Sequence, residues 1–110
     1  MPFNFVLSEN FERQIKKLSK KYRSIEDDVL ALIDDLETNP QKGQPLGRDC
    51  YKIRLNISSK NAGKSGGGRV ITCVKIVDEQ ITLLTIYDKS EQETIKDKDL
   101  KILLKQVFRN

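Results

Sequence analysis

Residues 51–87 constrain the fold more than any other stretch of the chain. From 51 to 57 apolar and polar residues alternate without a break, with Tyr51, Ile53, Leu55 and Ile57 set against Lys52, Arg54 and Asn56. A period of two sends successive side chains to opposite faces of a strand. Two more strands are predicted over 69–77 and 80–87, joined by a tight turn at Asp78 and Glu79. Both are apolar on both faces: Val70, Val74 and Ile76 against Ile71 and Cys73, then Leu84 and Ile86 against Ile81 and Leu83. Strands of that kind lie inside a sheet that is covered on both sides.

The cover comes from helices. Phe11, Ile15, Leu18 and Tyr22 recur at helical spacing behind a Ser8 N-cap, with Arg13, Lys16, Lys17, Lys20 and Lys21 on the opposite face. A second helix is predicted from Ser24, with an acidic first turn and a stripe of Ile25, Val29, Leu32, Ile33 and Leu36. Asn39-Pro40 ends it, because proline pushes its predecessor out of the helical region. Phe3, Phe5 and Leu7 mark a short first strand, and 40–49 reads as a loop with Gly43, Pro45 and Gly47. Ser90 with Glu93 forms a capping-box pattern, and Ile95, Leu100, Leu103, Leu104, Val107 and Phe108 continue a helical stripe. Asp97 is a second cap position that would divide a short turn from a longer helix. The expected order is β-α-α-β-β-β-α. This is an α+β fold with two N-terminal helices on a mainly antiparallel four-stranded sheet, followed by a C-terminal helix.

A chain of 110 residues with 37% hydrophobic residues can bury one modest core, so a single domain over 1–110 is expected. No apolar run approaches the roughly 20 residues of a membrane helix, and no secretory leader is visible. A soluble, cytoplasmic protein without a membrane partner is expected. Cys50 and Cys73 match no metal spacing, and the chain has no histidine, so reduced structural thiols and no metal or cofactor are expected. Between Gln41 and Lys75 stand eight basic residues and one acid, Asp49, which makes that third +7 within a chain of net charge +4. Such unevenness builds a local positive field suited to a polyanion, although a solvated basic surface has the same charge.

Gly63-Lys64-Ser65 resembles the end of a phosphate-binding loop, but Ser58 occupies the place of the required glycine and a strand follows instead of a helix. A stronger constellation is Lys52 and Arg54 on one strand, Arg69 opening the next, and Tyr87 closing the third, followed by Asp88, Lys89, Ser90 and Glu91. Paired strands lie about 5 Å apart, so these residues can share a site. Fixed cations beside a phenol suit a phosphate and an RNA base.

The runs Tyr51-Lys52-Ile53-Arg54, Gly63-Lys64-Ser65-Gly66-Gly67 with Arg69-Val70-Ile71, and Leu83-Leu84-Thr85-Ile86-Tyr87-Asp88-Lys89-Ser90-Glu91 resemble RelE/ParE-superfamily toxins of bacterial type II toxin–antitoxin systems. The likeness is greatest to the RelE/HigB-like branch and spans nearly the whole chain. It implies a toxin that cleaves mRNA on the ribosome, using the ribose 2′-hydroxyl as nucleophile without a metal, and held inactive by a cognate antitoxin. The catalytic positions it implies are Lys52, Arg54, Arg69 and Tyr87, and its RNA-binding candidates are Lys64, Ser65 and Lys89. The general base stays open between Lys52 and Glu91, and the reading favoured for Glu91 is a cap of the last helix. Where some relatives carry an arginine on the last strand, this chain offers Thr82 and Thr85. The alternatives are a ParE-like toxin that inhibits DNA gyrase by binding, or an inactive RNA-binding relative.

Overall fold

A computed structural model describes residues 2–60, 66–92 and 94–109. Strand β1 (Asn4–Leu7) leads into helices α1 (Glu9–Ser19) and α2 (Ile25–Thr38). Strands β2 (Gln44–Gly47), β3 (Cys50–Leu55), β4 (Gly68–Lys75) and β5 (Gln80–Asp88) follow, then helix α3 (Asp97–Val107). The five strands lie in the order β1-β5-β4-β3-β2, with β1 parallel to β5 and every other pair antiparallel. The α+β class is as expected, and both central strands are buried along almost their whole length. Among the described residues no helix is long and apolar enough to cross a membrane.

Helices α1 and α2 cover one face of the sheet, where Phe11, Leu18, Ile25, Val29 and Leu36 pack on Ile53, Val70, Val74, Ile81, Leu83 and Ile86. Helix α3 covers part of the other, where Leu100 packs with Cys50, Ile71, Cys73, Leu84 and Tyr87. Leu100 is the only fully buried residue of α3, while Leu103, Leu104 and Val107 are half-buried.

Three features depart from the sequence expectation. First, the 40–49 loop contains β2, so the sheet has five strands and not four. Pro45 is tolerated because β2 is an edge strand, where a missing N–H costs no ladder bond. Its hairpin to β3 turns on Arg48 and Asp49, both at positive φ (57° and 63°), the pair of left-handed residues of a two-residue primed turn.

Second, the β4–β5 register slips between Ile71 and Thr72, whose partners are Thr85 and Leu83. Leu84 is therefore bulged out of the ladder. The bulge brings Ile86 to the face of Ile81 and Leu83 and sends Leu84 to the other, a change of side that strict alternation does not show. The Leu84 carbonyl is recovered by Ser8, whose hydroxyl donates to it at 2.7 Å and also accepts from the Phe11 N–H at 3.0 Å as the α1 cap.

Third, β4 ends at Lys75, so Ile76 and Val77 lie in the turn and are exposed. Helix α3 begins at Asp97, six residues after Glu91, so neither Ser90 nor Glu91 caps it; Glu93 lies outside the described residues. The Ser90 hydroxyl is instead committed to Asp88, to which it donates at 2.8 Å.

Asp88 has no exposed surface. Its carboxylate also accepts from the Tyr22 hydroxyl at 2.6 Å, Lys60 Nζ at 2.7 Å and the Ser90 N–H at 3.0 Å. Burial opposes its charge, but the bonds from Lys60, Tyr22 and Ser90 outweigh burial and hold the carboxyl well below the ordinary range. A depressed pKa contributes stability that is present above the unfolded value near ~4 and lost as pH falls through the folded one. Asp88→Asn is expected to cost about 3 kcal/mol or more at pH 7, because it strands a buried donor set. In urea titrations the gap to the wild type should narrow from pH 5 towards pH 2. A gap of constant size would show that the charge of Asp88 carries none of this stability.

Candidate functional site

The register places the predicted site residues in a row. Arg54 pairs directly with Arg69, and Arg69 directly with Tyr87. Directly opposed residues share a face, and Lys52, two residues from Arg54, shares it too. This is the face that α3 only partly covers. Where α3 stops, an open cleft of about 470 Å³ remains, lined by Lys42, Gln44, Lys52, Arg54, Arg69 and Lys89, with Thr94 on its rim. Five of these side chains are cationic. Arg54 and Arg69 are like charges directly opposed across the ladder, a pairing that is unfavourable taken by itself.

The cations differ in mobility. Arg54 is exposed and Lys52 half-buried. Arg69 is only 5% exposed, and its guanidinium donates to the Gly68 carbonyl at 2.9 Å, which fixes its direction. The Lys89 N–H donates to the Gly67 carbonyl at 3.0 Å, tying the chain after β5 to the residue before β4. Lys42 is ion-paired to Asp35 of α2.

Two sequence candidates stand apart from the cleft. Tyr87 is directly opposite Arg69 but buried in the cluster around Leu100, outside the cleft lining. Glu91 lies in the turn after β5, outside the cleft lining. Lys64 and Ser65 lie outside the described residues. Among the described residues no group of three or more His, Cys, Asp or Glu could hold a metal ion.

A family model described as the RelE toxin of the RelE/RelB toxin–antitoxin system matches residues 8–108. The chain belongs to the RelE toxin family. No curated protein sequence matches it. Among solved structures, a mutant of Escherichia coli toxin RelE in the free state superposes with a TM-score of 0.61 at 18% identity, covering 84% of this chain and 90% of that one. The isolated E. coli RelE toxin gives 0.50 at 15% identity over 96% and 99% of the two chains. The mutant bound to an antitoxin RelB peptide gives 0.50 at 19% identity over 88% and 98%. At these identities the structures show a shared fold.

In this RelE-family toxin, sequence reasoning missed the wall formed by Lys42, Gly43 and Gln44, because their segment reads as a loop. Gly43 held the available signal. It sits at φ +108°, and a Cβ there would lie 2.5 Å from the Lys52 carbonyl oxygen. Only glycine lets β2 approach β3 closely enough to make the wall. Gly43→Ala is expected to cost about 2 kcal/mol, read as a lower urea midpoint. Unchanged stability would mean that β2 can move aside without loss.

Proposed function

We propose that this toxin is a ribosome-dependent mRNA endonuclease acting without a metal, and that the five-cation cleft is its RNA site. The observation that carries the reading is the convergence of Lys42, Lys52, Arg54, Arg69 and Lys89 on one open stretch of an otherwise covered sheet face. RNA supplies its own nucleophile. The ribose 2′-oxygen attacks the adjacent phosphorus, the P–O2′ bond forms, and the bond to the 5′-oxygen breaks. The protein then has to stabilise the extra negative charge on the phosphorane and to move two protons, one from the 2′-hydroxyl and one to the leaving 5′-oxygen.

Arg69, buried and fixed, is the preorganised phosphate ligand, and Arg54 beside it takes the remaining phosphorane charge. Lys52, next along the same row, acts as base or as a further electrostatic stabiliser. Lys89 and Lys42 hold flanking phosphates from the two rims, and Lys64 and Ser65 are proposed as further RNA contacts. Tyr87, buried behind Arg69 in the row, is assigned a positioning role. Glu91, outside the cleft lining, is the weaker candidate for the base. A cognate RelB-like antitoxin is the protein partner. The RelE family match favours this reading over gyrase inhibition, as do convergent cations that binding alone does not require.

Primer extension on a defined mRNA, with and without ribosomes, tests the reading. Because Arg69 is buried, Arg54→Ala and Lys52→Ala are the cleaner variants. Each should lose roughly 100-fold or more in ribosome-dependent cleavage while melting close to the wild type. Full cleavage by both variants, or no cleavage with ribosomes present, would overturn the assignment. Independently, log K for a single-stranded RNA should fall against log salt by about 0.7 per phosphate held. A flat line would remove the electrostatic footprint.

A further inference from the structure

Cys50 and Cys73 take no part in the cleft, yet their placement is specific. They are directly opposed on β3 and β4, and both are free and buried. One ladder bond settles which kind of pair they form. The Val74 N–H donates to the Asp49 carbonyl at 2.8 Å, one step outward from the cysteines. Pairs alternate along an antiparallel ladder, so Asp49 and Val74 form the hydrogen-bonded pair and Cys50 and Cys73 the narrow, non-bonded one. Narrow pairs hold their Cα atoms about 4.5 Å apart, within the ~4.4–6.8 Å that a disulfide spans. Both sulfurs also point to the same acceptor, the Arg48 carbonyl, 3.3 Å from Cys50 Sγ and 3.9 Å from Cys73 Sγ.

We propose that Cys50 and Cys73 are a redox-active dithiol which a hydroperoxide converts to a cross-strand disulfide. The Cys73 thiolate attacks a peroxide oxygen, the O–O bond breaks, and an alcohol (or water) leaves with a solvent proton, giving the Cys73 sulfenic acid. The Cys50 sulfur then attacks the Cys73 sulfur; the S–S bond forms, the S–O bond breaks, and the oxygen leaves as water. Two thiols lose two electrons and two protons, and the peroxide takes them up.

The order of attack follows from the surroundings. A hydrogen bond from Cys50, with help from Lys75, holds the Cys73 thiol below its usual range, whereas the bond to Cys73 and burial push Cys50 up. The pair lies at the hairpin end of the sheet, beside a groove lined by Arg48, Asp49, Lys75, Leu104 and Phe108. Neither cysteine lines that groove and both are buried, so a small oxidant reaches them only when the half-buried last turn of α3 opens locally. The crosslink would fix the β3–β4 register two residues from Lys52.

The test treats the reduced protein with hydrogen peroxide, alkylates it in denaturant and maps the peptides. The expected result is a monomer with both cysteines blocked to alkylation, one peptide pair joining Cys50 to Cys73, recovery of both thiols with dithiothreitol, and a melting temperature raised by several degrees in the oxidised form. Full alkylation of both thiols after peroxide, a disulfide-linked dimer, or a sulfonic acid at one cysteine with the other free would overturn the proposal. In Cys50→Ser the resolving thiol is gone, and dimedone should trap the sulfenic acid on Cys73. Absence of that adduct would overturn the assigned order of attack.

Discussion

The buried carboxylate of Asp88 sets the geometry of everything around it. A charge with no contact with water costs several kcal/mol unless its lone pairs are filled. Here they are filled by residues far apart in sequence: Tyr22 beyond α1, Lys60 in the short helical turn after β3, and Ser90 after β5. Asp88 is also the register partner of Gly68. One anion therefore ties α1's end, the turn after β3 and the turn after β5 together at the point where β4 begins, one residue before Arg69 and one before Lys89 leaves β5. Arg69 and Lys89 are thus each one residue from the Gly68–Asp88 pair that this network anchors.

That anchoring matters because the cleft gathers like charge. Arg54 and Arg69 face each other across one ladder step, with Lys52 and Lys89 close by, and like charges in such positions weaken a sheet. The stability comes from elsewhere: a core of Phe11, Ile25, Leu36, Val70, Ile81 and Ile86 on the opposite face, and the Asp88 network. In the proposed RNA site a bound phosphate would give these cations one shared counter-charge. Donors already in place when charge develops lower a barrier without having to reorganise.

How much was visible beforehand depended on whether the signal was local. The helical stripes, the Ser8 cap and the alternation of β3 follow from periods of 3.6 and 2, and all three appear in the structure. So does the shared face of Lys52, Arg54 and Arg69, because pairing consecutive antiparallel strands leaves few registers. What sequence did not show depends on distant partners. β2 carries proline and turns on Arg48 and Asp49 instead of an Asn-Gly pair, so its strand character comes from pairing with β3 and from the room left by Gly43. The Leu84 bulge depends on a serine 76 residues away that satisfies the freed carbonyl. Tyr87 reads as a site residue at a strand end because α3, which buries it, lies later in the chain. Ser90 fits a cap motif, yet Asp88 two residues earlier competes successfully for its hydroxyl.

The reach of α3 decides what a single row of side chains can do. Along β3, Cys50, Lys52 and Arg54 occupy the same face and pass from buried through half-buried to exposed. Along β4 the same face runs Cys73, Ile71, Arg69. Under the helix the row is apolar and holds thiols; past its edge the row is cationic and open. The helix is anchored by one fully buried residue, Leu100, and by the half-buried stripe of Leu103, Leu104, Val107 and Phe108. A shift of α3 along the sheet by one turn, about 5 Å, would move the boundary between these two environments by more than the spacing of one strand. The thiol pair and the cleft thus share a single boundary, and the surroundings of each are set by the same packing.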